Sequence, residues 1–379
     1  MNDLIRDVLH DRADALTDPD IDLTAVEAGG RRARNRRRWT VAAGATGSVA
    51  AVTALAIGIA QLTGDTTGQT GPRESQFAAA FADGAPTYAQ GSVVHLGADL
   101  TFDVGRKVAA MVQTPGAVVV VDTDGGVWVA NGQQEPDRVG DVGDLRPHLR
   151  ESGDLVAWAE RSDAGTRVVA LDVASGQTWQ APAIASGDGE FDEPEVAAVD
   201  RGMVWFTDDS GLTRWEPTTG GAPLIIDQEP GYELRDVRNG IYLTNSQKGN
   251  WVGHVGPDLA GGERVKVGAS GPQRLSPDGR LLLSERSADE FTVYDTSTGE
   301  ILADAPEGYE FAVGYAWADN ARYWAAAIQE LGEGSAGDSP YRYDLLLCTA
   351  PASCEVAVDD VEVSSEGSGV VLPIGERMD

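Results

Sequence analysis

The chain has 379 residues, and 60 acidic side chains against 29 basic ones give it a formal net charge of −31. The length exceeds that of one typical domain, and the acidic excess repels phosphate backbones, which argues against nucleic acid as a partner. Residues 1–38 carry eight charges of each sign, so the other 21 basic and 52 acidic side chains lie after them. A surface of this kind favours solubility and attracts cations or basic partners.

Residues 1–30 contain a short amphipathic pattern, in which Leu4, Ile5, Val8 and Leu9 recur at helical spacing. An isolated helix of this length is only marginally stable in water. The segment is therefore either a helix that docks a cytoplasmic regulatory partner or a partly ordered tail, and both interpretations stay open.

Residues 31–62 combine a cluster of arginines with an uncharged run of 24 residues that begins at Trp39 and ends at Leu62. The arginines are Arg31, Arg32, Arg34, Arg36, Arg37 and Arg38. A helix of about 20 apolar residues crosses a bilayer, flanking arginines stay on the cytoplasmic side, and tryptophan suits the interface. We therefore predict a cytoplasmic segment at 1–38, a single transmembrane helix at 39–62 and an extracytoplasmic remainder.

Two alternatives for this stretch explain less of it. A cleaved signal peptide has a small-residue cleavage site, and the exit IAQLTGD lacks a clear one. A buried soluble helix does not account for six arginines on one flank. After the run, residues 63–85 are rich in glycine, threonine and other polar residues, which predicts a flexible stalk that carries an extracytoplasmic domain at 86–379.

From Tyr88 onward, short β runs alternate with turn residues. The apolar strands that open successive units begin 37 to 48 residues apart, at Val118, Leu155, Met203, Ile241, Leu281 and Tyr323. A period of about 40–45 residues with several strands per unit is typical of β-propeller blades. Residues 172–176, 216–220 and 295–299 share an acidic residue followed by Ser/Thr-Gly, which predicts hairpin turns at the outer part of the blades.

Two segments resemble the blade consensus of bacterial WD-repeat-like and YVTN-type β-propellers: SPDGRLLLSE at 276–285 and VYDTSTGE at 293–300. The resemblance extends over roughly residues 88–375, without the Trp-Asp dipeptide, and implies a fold and an interaction surface but no particular chemistry. More loosely, the arrangement is similar to membrane-bound bacterial proteins that partner extracytoplasmic-type sigma factors, although residues 1–38 lack the zinc motif of anti-sigma proteins.

Six repeat units lie between about Lys107 and Val358, which leaves a β hairpin at 93–104 and the segment GVVLPIG near the C-terminus. Joined together, these two pieces form a composite seventh blade that closes the ring and removes two exposed sheet edges. We therefore predict an all-β, seven-bladed propeller behind a single transmembrane helix, with six or eight blades as rivals.

Cys348 and Cys354 lie between two apolar runs, which predicts a hairpin. An oxidising compartment permits a disulfide across it, whereas a structural zinc site needs four ligands. The predicted export of this region and the predicted disulfide therefore support each other.

Residues for catalysis cannot be assigned from the sequence. The histidines His10, His95, His148 and His254 are scattered, so we assign no catalytic, cofactor-binding or metal-binding residue. The acidic loop at 186–195 and the Asp122-x-Asp124 pair offer oxygen ligands of the kind calcium takes, but a solvated loop and a turn explain them better.

Two functions compete at this stage. The first is a membrane-anchored module that binds or senses an extracytoplasmic ligand or protein, with a link to cytoplasmic regulation. The alternative is a cell-envelope enzyme of propeller type, such as a glycan hydrolase or a dehydrogenase. A cluster of ionisable side chains in the central channel, with pKa values suited to catalysis, would favour the enzyme.

Overall fold

A computed structural model describes residues 72–184, 193–208, 210–226, 232–246, 249–256, 259, 263–268, 270–287, 290–304, 306, 308–309, 311–328, 341–350, 353–363 and 369–376. The predicted cytoplasmic segment, its arginines and Trp39, and the predicted span at 39–62 lie outside these residues. Within the part of the chain that is described, no helix is long and apolar enough to cross a membrane.

One helix and 28 strands follow one another along the described residues. In chain order they are α1 (Pro72–Ala82), β1 (Thr87–Gln90), β2 (Val93–Leu96), β3 (Leu100–Asp103), β4 (Val108–Gln113), β5 (Val118–Asp122), β6 (Gly126–Ala130), β7 (Asp137–Asp141), β8 (Arg150–Ser152), β9 (Leu155–Ser162), β10 (Gly165–Asp172), β11 (Gln177–Gln180), β12 (Glu195–Asp200), β13 (Met203–Asp208), β14 (Gly211–Trp215), β15 (Leu224–Ile225), β16 (Tyr232–Arg238), β17 (Ile241–Ser246), β18 (Gly249–His254), β19 (Arg264–Val267), β20 (Ser270–Leu275), β21 (Leu281–Ser287), β22 (Glu290–Asp295), β23 (Ile301–Asp304), β24 (Phe311–Trp317), β25 (Arg322–Ile328), β26 (Tyr341–Thr349), β27 (Ser353–Val363) and β28 (Val370–Val371). A 3-10 turn at Pro217–Thr219 lies between β14 and β15.

These strands form seven antiparallel sheets of four strands each, which are the blades of a propeller. Blade 1 has the strand order β28-β1-β2-β3, and each following set of four strands from β4 to β27 forms one further blade, numbered 2 to 7. The predicted all-β, seven-bladed architecture is confirmed. The strand nearest the channel is β28 in blade 1 and the first strand of the set in each other blade.

The ring closes through the two ends of the propeller, as predicted. The C-terminal strand β28 pairs with β1 in the register Ala89↔Val371 and Gln90↔Val370. Blade 1 therefore takes its innermost strand from the C-terminus and its other three from the N-terminal side. The sequence analysis identified β2 and β3 as the hairpin but missed β1, whose four residues TYAQ carry no strong strand signal.

The six repeat positions fall one strand later in each blade than expected. Val118, Leu155, Met203, Ile241 and Leu281 are the first residues of second strands, and Tyr323 is the second residue of β25. A second strand packs against the neighbouring blades on both faces, so it is rich in apolar residues: every residue of β5 is buried, and the first four are valines. Among the innermost strands, β8 and β16 carry several charged residues, which hides them from a search for apolar runs.

The core consists of apolar clusters between adjacent blades. One cluster joins blades 2 and 3 and contains Val121, Leu149 and the fully buried Trp158. Gly140 of β7 leaves room for the Trp158 ring, because a Cβ at this position would lie only 2.7 Å from that ring. The blades are therefore held by close packing of neighbouring sheets.

Helix α1 occupies the second half of the segment assigned to a flexible stalk, so that expectation is corrected over residues 72–82. Pro72 begins the helix, where proline is well tolerated, and the alanines that follow favour a helix. Phe77 and Phe81, four residues apart, are buried against Phe102 of β3, with ring centroids 5.6 and 6.4 Å away. This helix covers the outer strand of blade 1.

The disulfide between Cys348 and Cys354 is confirmed. The two cysteines are paired neighbours at the end of the β26–β27 hairpin. The predicted outer turns also fall where expected, between the third and fourth strands of blades 3, 4 and 6. At one of them, Oδ1 of Asp295 accepts hydrogen bonds from the backbone N–H groups of Ser297 at 2.7 Å and Thr298 at 3.1 Å.

Candidate functional site

The central channel of the propeller contains a cluster of charged side chains contributed by several blades. Short polar strands position them: β8, for instance, consists of Arg150, Glu151 and Ser152. We call the following six residues the channel cluster: Arg150, Glu151, Asp236, Arg238, Arg274 and Glu376.

The C-terminal segment 372–376 leaves β28 and runs past blades 2 and 3. The backbone N–H of Gly375 donates to the Met111 carbonyl at 2.7 Å, and the Leu149 N–H donates to the Gly375 carbonyl at 2.8 Å. Gly375 has a φ of +77°, and a Cβ there would lie 2.0 Å from the Leu149 oxygen. Only glycine fits this position, so the segment is closely seated against the inner strands.

Arg150 ties this segment to two blades. Its guanidinium donates to the Ala197 carbonyl of blade 4 at 3.2 Å, to the Leu149 carbonyl at 3.1 Å and to the Glu376 carboxylate. Burial alone would raise the pKa of Glu376, but the charges of Arg150 and Arg274 outweigh it and lower that pKa to about 2. Glu376 is therefore a carboxylate at any physiological pH.

Arg238 links blade 5 to blade 3 past the intervening blade. Its Nη1 donates to the Glu151 carbonyl at 2.6 Å and its Nη2 to the Glu151 carboxylate at 3.1 Å. Its Nε lies 3.5 Å from Oδ1 of Asp236. Burial disfavours the cation, yet the carboxylates of Glu151 and Asp236 outweigh burial and raise the pKa of Arg238.

Asp236 joins blade 5 to blade 6. Its Oδ1 accepts the N–H of Val237 at 2.8 Å, and its Oδ2 accepts the N–H of Leu275 at 2.9 Å. Arg274, the neighbour of Leu275 on β20, donates from Nη2 to the Ile374 carbonyl. Trp317 of blade 7 donates from Nε1 to the Arg274 carbonyl at 3.0 Å. The cluster thus contacts blades 3 to 7 and the C-terminal segment.

His148 also lies at this site, whereas the sequence showed it only as one of four scattered histidines. Its Nδ1 is 3.5 Å from Glu195 and 3.9 Å from Glu376. Burial and the nearby Arg150 lower the pKa of His148, against the opposing effect of Glu195 and Glu376. His95, in contrast, stacks on Tyr88 within blade 1, with ring centroids 4.4 Å apart.

The channel cluster is an ion-pair network rather than a set of proton-transfer groups. A general acid or base works best with a pKa near the working pH. Glu376, with a pKa of about 2, and Arg274, with a pKa of about 10, both lie far from that range. The arrangement holds charges in place across the channel and ties the blades to one another.

The structure describes one of the two candidate calcium sites, the Asp122-x-Asp124 pair, and only the end of the other, the acidic loop at 186–195. Asp122 is a turn residue: its Oδ1 accepts the N–H groups of Asp124 at 2.9 Å and Gly126 at 2.8 Å, and its Oδ2 accepts Trp128 Nε1 at 2.8 Å. Most of the acidic loop at 186–195 lies outside the described residues. Among the residues that are described, no group of three or more histidine, cysteine, aspartate or glutamate side chains is placed to hold a metal ion.

No protein-family model matches the chain, and a search of curated proteins returns no match. Solved structures similar to it include the β-propeller domain of Cps50 (Swd1) from Myceliophteria thermophila, with 10% identity, 66% of this chain and 87% of that chain covered, and a TM-score of 0.42. BamB from Moraxella catarrhalis has 15% identity, 75% and 89% coverage, and a TM-score of 0.38. YCF48 bound to D1 peptide has 14% identity, 73% and 87% coverage, and a TM-score of 0.42. These likenesses are distant, so the propeller assignment rests on the seven sheets themselves and no function is taken from the comparisons.

Proposed function

We propose that the protein is a single-pass membrane protein whose extracytoplasmic propeller binds a protein partner through its outer rim. The N-terminal segment 1–38 lies in the cytoplasm, and its first 30 residues pass the binding event to a regulatory partner there. The arginine cluster before residues 39–62 supports this topology. The Cys348–Cys354 disulfide supports an oxidising location for the propeller.

One observation carries the binding proposal. The large apolar side chains that the described residues expose all lie on the outermost strands of blades 4, 6 and 7: Leu224, Ile225, Ile301, Leu302 and Val356. Leu224 and Ile225 are 52% and 58% exposed. Exposed apolar side chains that group together mark interaction surfaces. Blades 6 and 7 are neighbours in the ring, and blade 5, whose outer strand contributes none of these residues, separates them from blade 4. We call this arc of outer strands the rim surface.

Blade 1 shows how an outer strand of this propeller is covered. There, Phe77 and Phe81 of α1 pack against Phe102 of the outermost strand. The outermost strands β15, β23 and β27 have a neighbouring strand on one side only in their sheets. Such edges accept an added strand or an amphipathic helix. The rim surface therefore suits a partner that contributes apolar side chains from an extended or helical segment.

The charge of the propeller indicates the partner's chemistry. The region after the predicted span carries 52 acidic and 21 basic side chains. Electrostatic complementarity then favours a partner with basic residues around its apolar contact. The central channel supports the same proposal for a protein partner, because its three carboxylates are already bonded to Arg150, Arg238 and backbone N–H groups.

Site-specific photo-crosslinking in the native membrane tests the rim surface. A crosslinker at Ile225 and another at Leu302 should capture the same basic protein. A crosslinker at Gln180, an exposed polar position on the outermost strand of blade 3, serves as the matched control. The double variant Ile301→Asp, Leu302→Asp should lose the crosslink at Ile225 without a change in thermal midpoint, and Thr178→Asp should keep it. Equal capture from Gln180, or capture that survives the double variant, would refute the proposal.

A further inference from the structure

We propose that the central channel binds a small oxyanion, a phosphate or carboxylate group, at the guanidinium of Arg274. This site is independent of the membrane topology and of the rim surface. It follows from how the charges of the channel cluster pair with one another.

Each carboxylate of the cluster already has its own partner. Glu376 accepts from Arg150, and Glu151 accepts from Arg238. Asp236 accepts two backbone N–H groups and lies beside Arg238. Three carboxylates are thus matched with two arginines and with backbone donors. The third arginine of the cluster, Arg274, makes no hydrogen bond to a carboxylate of the described residues and interacts with Glu376 and Asp236 through charge alone.

The Arg274 guanidinium makes few hydrogen bonds for a side chain in the central channel. A guanidinium has five N–H donors. Among the described residues, Arg274 uses the Nη2 donor, which bonds the Ile374 carbonyl. A carbonyl accepts a hydrogen bond but does not neutralise the charge. The carboxylates of Glu376 and Asp236 attract the guanidinium but accept no hydrogen bond from it among the described residues, so an anion can take its remaining donors.

The surroundings of Arg274 show the same imbalance. Burial, followed by the positive charge of Arg150, lowers its pKa to about 10 against the opposing effect of Glu376 and Asp236, so it is still charged at neutral pH. The side chain nevertheless keeps partial solvent exposure, as do Glu151 and Glu376 nearby. A small solute can therefore reach the guanidinium through the hydrated lumen of the channel.

The planar shape of the Arg274 guanidinium favours ligands that carry two oxygen atoms side by side. A guanidinium presents its donors as a planar fork that matches the oxygens of a carboxylate or phosphate in a bidentate manner. The positive charges of Arg150 and Arg238 also act at this point and attract an anion, while the carboxylates of Glu376 and Asp236 oppose them. The C-terminal segment occupies part of the channel beside it, which favours a small anion over a long chain.

The test uses the full-length protein, purified in sodium chloride and titrated with sodium phosphate or sodium acetate at matched ionic strength. Either anion should raise the thermal midpoint of the wild-type protein by about 2 °C or more, through preferential binding to the folded state. Arg274→Gln should weaken the apparent affinity by about tenfold or more. Arg280→Gln, which removes an exposed guanidinium from the same blade, is the control and should respond like the wild type.

Stability in chloride alone separates a binding role from a structural one. Arg274→Gln relieves the burial of the guanidinium and also removes its attraction to Glu376 and Asp236, so its midpoint should stay close to that of the wild type when neither anion is present. Arg274→Lys keeps the charge without the fork and should bind both anions more weakly than arginine. A response to only one anion identifies the ligand as phosphate-like or carboxylate-like. The proposed site would be refuted if neither phosphate nor acetate raised the thermal midpoint above its value in chloride. It would also be refuted if the Arg274 variants bound these anions as tightly as the wild type.

Discussion

Deletion of residues 369–379 is expected to open the ring, although it removes only the last eleven residues of the chain. The deletion takes away β28, and with it the innermost strand of blade 1. It also removes the buried Leu372, the two backbone hydrogen bonds of Gly375 and the carboxylate of Glu376. Blades 1, 2 and 3 lose contacts together, so the damage is not confined to one end.

The size of the effect follows from those contacts. Burial of a leucine side chain stabilises by about 1.5–3 kcal/mol, and each lost backbone hydrogen bond costs about 1 kcal/mol. The ion pair of Glu376 with Arg150 is only partly buried, so its loss costs less than that of a fully buried pair, about 3–5 kcal/mol. The loss therefore approaches the whole stability of a typical domain, about 5–15 kcal/mol.

Thermal unfolding followed by circular dichroism, with light scattering in parallel, measures the outcome. We expect the deleted protein to melt far below the intact one and to aggregate through its open edges. Deletion of residues 377–379 keeps Glu376 and is the matched control, which should leave the midpoint unchanged. Gly375→Ala should reproduce part of the loss, because its methyl group meets the Leu149 carbonyl. A 369–379 deletion that melts like the intact protein would show that ring closure does not depend on this segment.

Three further predictions concern single side chains. The folded pKa of Glu376, about 2, lies below the ordinary value of 4.5, so its contribution, up to about 3 kcal/mol, is present above pH 4.5 and lost as the pH falls towards 2. Glu376→Gln should remove that part of the pH dependence of unfolding, and an unchanged profile would contradict the pairing with Arg150. Cys354→Ser should lower stability by about 2–3 kcal/mol without loss of the fold, and non-reduced peptide mass spectrometry should show the bond in wild-type protein from its native compartment. Phe81→Ala should cost about 3 kcal/mol in denaturant unfolding, whereas no effect would mean that α1 does not support blade 1.

The repeat and the closure of the ring were predictable because each leaves a local pattern in the sequence. Second strands such as β5 begin with a run of apolar residues, since both faces are buried there, and the spacing of these runs gives the blade count. The hairpin of Cys348 and Cys354 is equally local. Helix α1 was missed because the polar residues before it dominated the interpretation of that segment, although Phe77 and Phe81 already had helical spacing.

The channel cluster could not be predicted, because the ring brings together residues that are far apart in the chain. Arg150, Arg238, Arg274 and Glu376 come from four places in the sequence, and each looks locally like an ordinary surface residue. A polar inner strand such as β8 is the one signal they leave, and it resembles a loop. That Arg274 makes no hydrogen bond to a carboxylate of the described residues is visible only in three dimensions.

Protease treatment of intact cells or spheroplasts tests the central claim most directly, using a protein tagged at both ends. The N-terminal tag should survive on a fragment that contains residues 1–38, because the arginine cluster holds that segment in the cytoplasm. The C-terminal tag should be lost together with the propeller, and detergent lysis should expose both tags as a control. A protected C-terminal tag with a digested N-terminal tag would place the propeller in the cytoplasm and contradict the account.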